Sequence, residues 1–468
     1  RQPTLTALPR ILNTLQREGY HFISLEKYLG MSRSQLMPVI PKDKAYYAMQ
    51  ANLSLAELIY HASDFLTALF LVFLVLGFAR LLFMYILMIR EKRREKRRAY
   101  PQLDKTNAAK VSIIVPAYNE EVNVVRTLEN LKMQDYPNFD IVFVDDGSKD
   151  NTLKRVQEAF ADDPNIVILT KQNAGKASAL NYGIAHTTAE YVVCIDADTQ
   201  LRKNAVTLLM RHYLTDTEGK IGAVAGNVKV GNQRNMLTRW QAIEYTTSQN
   251  FDRMAYASIN AITVVPGAIG AFRKKAIEDA GGFNTDTLAE DCDLTMGILE
   301  KDYVIENENA AIAMTEAPES LRQFVKQRTR WTFGVMQTFW KHRAALFSKK
   351  HKGFGLWAMP NMLIFQYIIP TFSPLADLMM LFGLFMGNGW QIFIYYLLFL
   401  LVDGSVSIMA YIVEKEPLWV LLWIIPQRFF YRWVMYYVIF KSYMKAIKGE
   451  LQSWGVLKRT GNVTIANK

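Results

Sequence analysis

Two kinds of apolar pattern divide the chain. Between about residues 110 and 230, short and continuously apolar runs ("VSIIVPAY", "DIVFVDDGS", "NIVILT", "YVVCIDADT", "IGAVAGNV") are separated by amphipathic stretches such as "EVNVVRTLENLKMQ" and "TLKRVQEAFADD". Runs of this kind suit strands buried on both faces of a parallel sheet, with helices covering it. The predicted fold class is therefore α/β, and in such a sheet ligand groups gather at the carboxyl ends of the strands. Elsewhere the apolar runs are longer. Residues 65–89, "FLTALFLVFLVLGFARLLFMYILMI", have membrane length with a single charge, Arg80, and three further apolar stretches lie between about 357 and 440.

Composition agrees with a mixture of soluble and membrane sequence: the 468 residues, enough for two or three domains, are 51% hydrophobic and 21% charged. Immediately after the first span comes "REKRREKRR", residues 90–98. The positive-inside rule and anionic headgroups put this run on the cytoplasmic side, and with it everything from about 100 to 350. A nucleic-acid patch would look similar, but this run abuts a membrane span and no aromatic residues interleave with it, so no nucleic-acid partner is expected. The net charge of +11 suits an anionic membrane surface and an anionic substrate. The only two cysteines, Cys194 and Cys292, fall in the segment placed in the cytosol, where no disulfide is expected.

No secretory signal peptide is visible and the chain begins at Arg1, so it reads as a piece of a longer protein. Its start predicts a helix with apolar residues at Leu8, Ile11, Leu12 and Leu15, a turn at Gly19, a short strand from Tyr20 to Leu25, and another helical turn. That is too little to make a core alone.

Polar residues collect where the predicted strands end. Pro116, Tyr118, Asn119 and Glu120 follow the first; Asp145 and Asp146 the second; Lys171, Asn173, Gly175 and Lys176 the third; Asp196 and Asp198 the fourth. An Asp-x-Asp alone is equally a turn cap. Four strands that each end this way on one edge describe a crevice, and two carboxylates there call for a cation. A nucleotide diphosphate-sugar needs such an inventory. Tyr118, Glu120 and Asp146 suit its base. Asp198, with Asp196, suits a divalent cation on its pyrophosphate, Mg2+ or Mn2+, acting as Lewis acid on the departing diphosphate. Lys176, opening a helix after Gly175, adds a charge-assisted contact.

"VPAYNE", "VDDGSKD", "NAGKASALN", "DADT", "VPGAIGAFR", "LAEDCDLT" and "QRTRW" occur in that order. The series resembles that of the inverting family 2 glycosyltransferases, and more narrowly the membrane-embedded processive synthases of poly-N-acetylglucosamine, hyaluronan, chitin and cellulose. The resemblance covers roughly residues 110–340 and extends to the flanking spans. It implies a GT-A (Rossmann-like) cytosolic domain flanked by transmembrane helices, a UDP-sugar donor bound by Pro116, Tyr118, Glu120, Asp145, Asp146, Lys176, Asp196 and Arg330, and a growing polysaccharide acceptor. Asp291 falls on the family's catalytic base. In "LAEDCDL" Ala289 stands where the family has Thr, which puts a secondary hydrogen bond in doubt. For Glu290, Asp291 and Asp293 the alternative is a helix N-terminal turn favoured by the macrodipole.

"QRTRW", residues 327–331, resembles the Gln-x-x-Arg-Trp signature of processive synthases. It implies that Arg330 meets the diphosphate while Gln327 and Trp331, with Glu290, serve the acceptor; an indole face stacks on a pyranose and a guanidinium forks onto phosphate oxygens. The alternative is an amphipathic helix with a buried Trp. In "VVPGAIGAFRK", residues 264–274, read as following a short strand, Gly267 and Gly270 permit close backbone approach, so the acceptor terminus is expected to pass Gly267.

The first thirty residues resemble the last helix and strand of the polysaccharide deacetylase fold, without that family's Asp/His motifs. The expected organisation is a deacetylase-like extracytoplasmic remnant over 1–50, a transmembrane helix over 60–90, the cytosolic domain over 100–345, transmembrane or interfacial helices over 353–445, and a tail over 446–468. Three spans after a cytosolic domain would put that lysine-containing tail outside, so the Pro-rich stretch 357–374 is expected to lie in the interface instead. Asp377, Asp403, Arg428 and Arg432 sit at depths where charge is expensive, and should face one another or a wet path. The resemblance implies a multi-pass protein of the bacterial inner membrane, with room for a small accessory membrane subunit. The expected reaction is polymerisation of a UDP-activated N-acetylhexosamine, first poly-β-1,6-N-acetylglucosamine, with chitin-, hyaluronan- or cellulose-like products behind it. Two other readings are single-sugar transfer to a lipid carrier, which the QRTRW segment argues against, and a non-catalytic subunit, which would have to lack Asp196, Asp198 or Asp291.

Overall fold

A computed structural model describes residues 2–38, 41–104, 106–385 and 389–448, together with 461 and 463. The chain divides into two compact units, Arg1–Leu71 and Val72–Lys468. The first begins with a helix, Gln2–Arg17, followed by the short helices Leu25–Leu29 and Arg33–Leu36, each opened by a serine cap, Ser24 and Ser32. The strand expected over Tyr20–Leu25 is not formed: Tyr20–Ser24 has no regular structure and Leu25 starts a helix. A strand needs a neighbour for its amides, and Tyr20, Phe22 and Ile23 are exposed, with no strand paired to them among the described residues.

The second unit is built on one eight-stranded sheet of order β3-β2-β1-β4-β7-β6-β8-β5. Its strands are β1 Val111–Ala117, β2 Phe139–Asp145, β3 Ile166–Thr170, β4 Tyr191–Cys194, β5 Gln200–Leu201, β6 Ile221–Val230, β7 Gly270–Arg273 and β8 Val304–Thr315. β1 pairs in parallel with β2 and β4, and β2 with β3, so the first four expected strands end on one edge. β1 is buried along its whole length, as its continuous apolar run requires. Beyond β4 the parallel expectation fails. β7 lies antiparallel between β4 and β6, and β6 returns to parallel pairing with β8. In the 264–274 segment the strand follows the glycine turn instead of preceding it, since Ala261–Pro266 is irregular and β7 starts at Gly270.

The first span is part of a longer helix, Lys44–Arg97. No proline and a single glycine, Gly77, interrupt those 54 residues, so nothing local stops the helix before Arg97. The basic run is its last turns, and two of its arginines reach the sheet: Arg94 and Arg98 pair with Glu306 of β8 at 2.5 and 2.9 Å. Among the described residues, two helices are long and apolar enough to cross a membrane, Lys44–Arg97 and Phe354–Met379. The second contains Pro360, Pro370 and Pro374 and passes through π-helical turns at Phe354–Ala358 and Met362–Ile368. Two further helices follow, Gly389–Glu414 and Ile424–Lys448. Of the four charges noted there, Arg432 pairs with Asp377 at 3.2 Å, and Tyr436 donates to the same carboxylate at 2.9 Å. The Asp403 side chain and most of the tail lie outside the described residues.

Asp293, in the first turn of the helix Glu290–Glu300, is bonded by Asn284 at 2.7 Å, Lys341 at 3.0 Å and His342 at 3.1 Å, while His342 also meets Glu300 at 3.0 Å. Burial opposes charge on His342, but its two carboxylate partners outweigh that and push it up to about 9. Burial likewise raises Asp293, and its three donors more than offset this, leaving it below the ordinary range. The histidine contribution is then complete below its unfolded pKa of about 6.5 and is lost as pH rises through about 9. The aspartate contribution is complete above about 3.9 and is lost as pH falls through the depressed value. Thermal unfolding should thus be most resistant between about pH 4 and 6.5 so far as this cluster sets it, and His342→Gln should flatten the decline between about pH 6.5 and 9. An unchanged slope in that variant would show that the pair does not carry it.

Candidate active site

The carboxyl edge of β1–β4 is where the named side chains meet. Asp145, ending β2, accepts from the Ser148 amide and from Thr170, which holds the following turn. Asp146 is almost fully buried and accepts from Lys171 Nζ at 2.8 Å, Asn173 Nδ2 at 3.1 Å and the amides of Ala174 and Gly175 at 3.1 and 2.8 Å. Its work in this structure is to fold the loop that delivers Lys176 to the first position of the helix Lys176–Ala185. Pro116 lies inside β1, Tyr118 is half-buried at its exit, and the Glu120 amide is bonded to Thr152 Oγ1 at 2.8 Å.

Lys176 is the hub. Its ammonium lies 2.6 Å from Asp196 Oδ1 and 3.2 Å from Glu290 Oε1. Burial disfavours its charge, yet Asp196, Glu290 and Asp291 together hold it well above its ordinary value. A Cβ on Gly267 would stand 2.5 Å from Lys176 Nζ, so any side chain there would push the ammonium from this position. The Gly267 amide donates to Asp291 Oδ2 at 3.3 Å, and the Cys292 amide to Asp291 Oδ1 at 2.8 Å. Residues from four separated motifs, Lys176, Asp196, Gly267 and Asp291, therefore share one small volume.

Asp291 is half-buried in the first turn of Glu290–Glu300, so its helix-start reading and its place in the cluster both hold. Burial pushes its carboxyl up, the Glu290 charge adds to this, and Lys176 and the Cys292 amide pull the other way, leaving it at about 6. A carboxylate so placed is deprotonated at neutral pH, yet far more basic than an exposed one. Its turn is set in part by the helix Leu321–Lys341, which crosses so closely at Gly334 that a Cβ would meet the Ala289 nitrogen at 2.8 Å.

That same helix carries the QRTRW residues. Trp331 is half-buried, packs against the apolar cluster that contains Ala197 and Ala268, and lies 6.4 Å from the Tyr245 ring. Burial raises the Tyr245 phenol, and Glu244 and Asp198 add to this against Arg328. Arg330 is half-buried and makes no ion pair among the described residues. Gln327 is buried. Sequence reading passed over Arg328, which is 2% exposed and lies 4.4 Å beneath the Trp331 ring, with Nη2 2.7 Å from Glu244. It stood inside the quoted motif, but a spacing pattern does not reveal which of two arginines turns inward. Glu244 also accepts from the Tyr431 hydroxyl, tying the Trp331 floor to the helix Ile424–Lys448.

The two carboxylates after β4 offer hard oxygen donors suited to Mg2+ or Mn2+: Asp198 is 4% exposed, and Asp196 is already neutralised by a cation, Lys176. No cluster of three His, Cys, Asp or Glu able to hold a metal occurs among the described residues, so an ion on these two carboxylates would need its remaining ligands from phosphate and water.

The carboxyl edge of β1–β4 thus carries an acidic turn, a largely buried lysine and a half-buried carboxylate, an arrangement suited to a sugar transferase. Residues 112–281 match the family described as Glycosyl transferase family 2. Among curated proteins the chain is 32% identical over 234 residues to a poly-beta-1,6-N-acetyl-D-glucosamine synthase of Staphylococcus epidermidis, covering 49% of this chain and 56% of that one. It is 29% identical over 269 residues to the corresponding synthase of Staphylococcus aureus strain COL, covering 58% and 63%. The chain thus spans somewhat over half the length of these relatives. A solved mannosyltransferase from Pyrobaculum calidifontis, in complex with GDP-Man and Mn2+, shares the fold with a TM-score of 0.52 at 21% identity, over 73% of this chain and 97% of that one.

Proposed function

We propose that the protein is a processive, inverting, metal-dependent glycosyltransferase that polymerises a UDP-activated N-acetylhexosamine, with UDP-N-acetylglucosamine to poly-β-1,6-N-acetylglucosamine as the product favoured by the two synthases it matches. The observation that carries the reading is Asp291, a carboxylate with its pKa raised to about 6, held in one cluster with Asp196 through Lys176. Inversion needs one base on the acceptor side, which removes the hydroxyl proton as that oxygen attacks the anomeric carbon opposite the diphosphate. Asp291 takes that proton, Trp331 offers the acceptor sugar a stacking face, and Arg330 and Lys176 contact the donor's phosphates. Asp198 and Asp196 would hold the divalent cation, which, when bound, stabilises the negative charge on the departing diphosphate. The neighbouring fold with GDP-Man and Mn2+ supports a nucleotide-sugar donor and such an ion.

The apolar helices are read as spanning the inner membrane, with the sheet on the cytosolic side. The polymer's path is read as passing a cavity of about 320 Å³ whose lining joins apolar side chains such as Ile243 and Ile424 to Glu244, Gln427, Arg428 and Arg432. Glu244 borders both this cavity and the Arg328–Trp331 floor, which is the support for a continuous route. The test is incubation of membranes containing the full protein with a panel of UDP-sugars and Mg2+ or Mn2+, followed by sizing of the product. Long chains from UDP-N-acetylglucosamine are expected. Transfer of one sugar to lipid would overturn processivity, and polymer from another UDP-sugar alone would overturn the choice of sugar. In Asp198→Asn, UDP binding should lose most of its metal dependence; full retention would remove Asp198 from the metal site.

A further inference from the structure

The last turns of Lys44–Arg97 carry a concavity that the transfer reaction does not use. It has a volume of about 830 Å³ and is lined by Ile86, Ile89, Arg90, Arg93, Arg94, Arg97 and Arg98. Two of these arginines are spoken for. Arg94 bonds Glu91 at 2.9 Å, and Arg94 and Arg98 grip Glu306 from two sides, which fixes this end of the helix against β8. Lys92 is offset by Glu95 at 3.4 Å. Arg90, Arg93 and Arg97 are exposed and make no ion pair among the described residues, so three positive charges are left uncompensated on one side of the helix.

Their neighbours along the helix say what would sit there. Val75, Phe78, Leu82, Ile86 and Ile89 recur at three- and four-residue spacing, all strongly exposed, and Arg93 and Arg97 continue the same stripe. An apolar face that turns basic within two helical turns matches an amphiphile with acyl chains along the isoleucines and an anionic head among the arginines. Arginine forks onto phosphate oxygens while its stem lies along apolar surface. No aromatic side chain lines the concavity, which disfavours a nucleic acid.

We propose that this arginine crescent is a binding site for one phospholipid of net negative charge, its phosphodiester held by Arg90, Arg93 and Arg97. The site rests on Lys44–Arg97 crossing a membrane, and not on the identity of the sugar or on processivity. Near a membrane surface each basic residue adds about 1 kcal/mol to anionic lipid binding, so losing three should weaken it by about a hundredfold.

The test is native mass spectrometry of the delipidated full-length protein titrated with phosphatidylglycerol or phosphatidylcholine, in wild type and in the triple variant R90Q/R93Q/R97Q. Wild type should retain one phosphatidylglycerol in preference to phosphatidylcholine. The triple variant should lose that preference, with an unchanged melting temperature, while R90K/R93K/R97K should keep most of it. Equal phosphatidylglycerol binding by the Gln variant would overturn the proposal. Full displacement of the lipid by millimolar inorganic phosphate would also overturn it, in favour of a free-anion site. Flotation of wild type with phosphatidylcholine liposomes tests the span separately: failure to float sinks the membrane premise, whereas flotation without lipid preference sinks only the headgroup site.

Discussion

Asp291→Asn is expected to abolish polymer formation while leaving UDP-sugar binding within a few-fold of wild type. A positioned general base contributes about 10²–10⁴ in rate, so kcat should fall by at least two orders of magnitude. The one amide oxygen can still accept from the Cys292 amide at the shorter of the two bonds, 2.8 Å, while the longer one from Gly267, 3.3 Å, is lost because the NH2 group cannot accept it, so the turn should survive with one bond fewer. The capacity to take a proton is removed with it. Because the base must be ionised to act, the wild-type rate should fall on the acid side with a midpoint near 6, the value to which burial and Glu290 raise this carboxyl. Radiolabel incorporation against pH, alongside isothermal titration with UDP, reads both effects. A variant that polymerises at a near-normal rate would remove Asp291 from the chemistry, and equal loss of UDP binding would make its role one of donor binding.

The second large effect is Lys176→Met. It leaves Asp196 and Glu290 without the ammonium that now lies 2.6 and 3.2 Å from them, beside a third carboxyl, Asp291. Removing one partner of a buried ion pair costs about 3–5 kcal/mol, because the remaining charge stays desolvated. Asp196 is 31% exposed and can turn towards water, so the lower end of that range is expected. The second readout is pH. Lys176 pulls the Asp291 pKa down, so its loss should move the acid limb of the rate profile upward, above the wild-type midpoint near 6. Added Mg2+ or Mn2+ should restore part of the stability by replacing the lost charge. A melting temperature and acid limb both equal to wild type would mean that the lysine is not the electrostatic centre of the site.

Much of the donor side was legible in the chain itself. β1, β2, β3 and β4 stand where continuous apolar runs placed them, and Asp145, Asp146, Lys176, Asp196 and Asp198 follow those strand ends as expected. What local pattern did not show is the task each carboxylate performs. Asp146 spends its oxygens on four donors of the 171–175 loop, and Asp293, two residues from Asp291, is locked to Lys341 and His342. The strand drawn at Tyr20 failed for a related reason: alternating apolar residues make a strand only when a partner exists to take its amides.

Amino-acid order alone determined the parallel α/β half-sheet, the long apolar helix with its basic end, and the presence of an acidic turn after the fourth strand, because periodicity and strand-end chemistry are properties of neighbours in the chain. Folding in three dimensions decided that β7 enters antiparallel between β4 and β6, that Lys176 meets Glu290 as well as Asp196, that Arg328 rather than Arg330 lies beneath Trp331, and that Arg94 and Arg98 dock on Glu306 while Arg90, Arg93 and Arg97 do not. Each of those outcomes joins segments far apart in sequence. Which charges meet is set there by close packing and by the cost of burying any one of them alone.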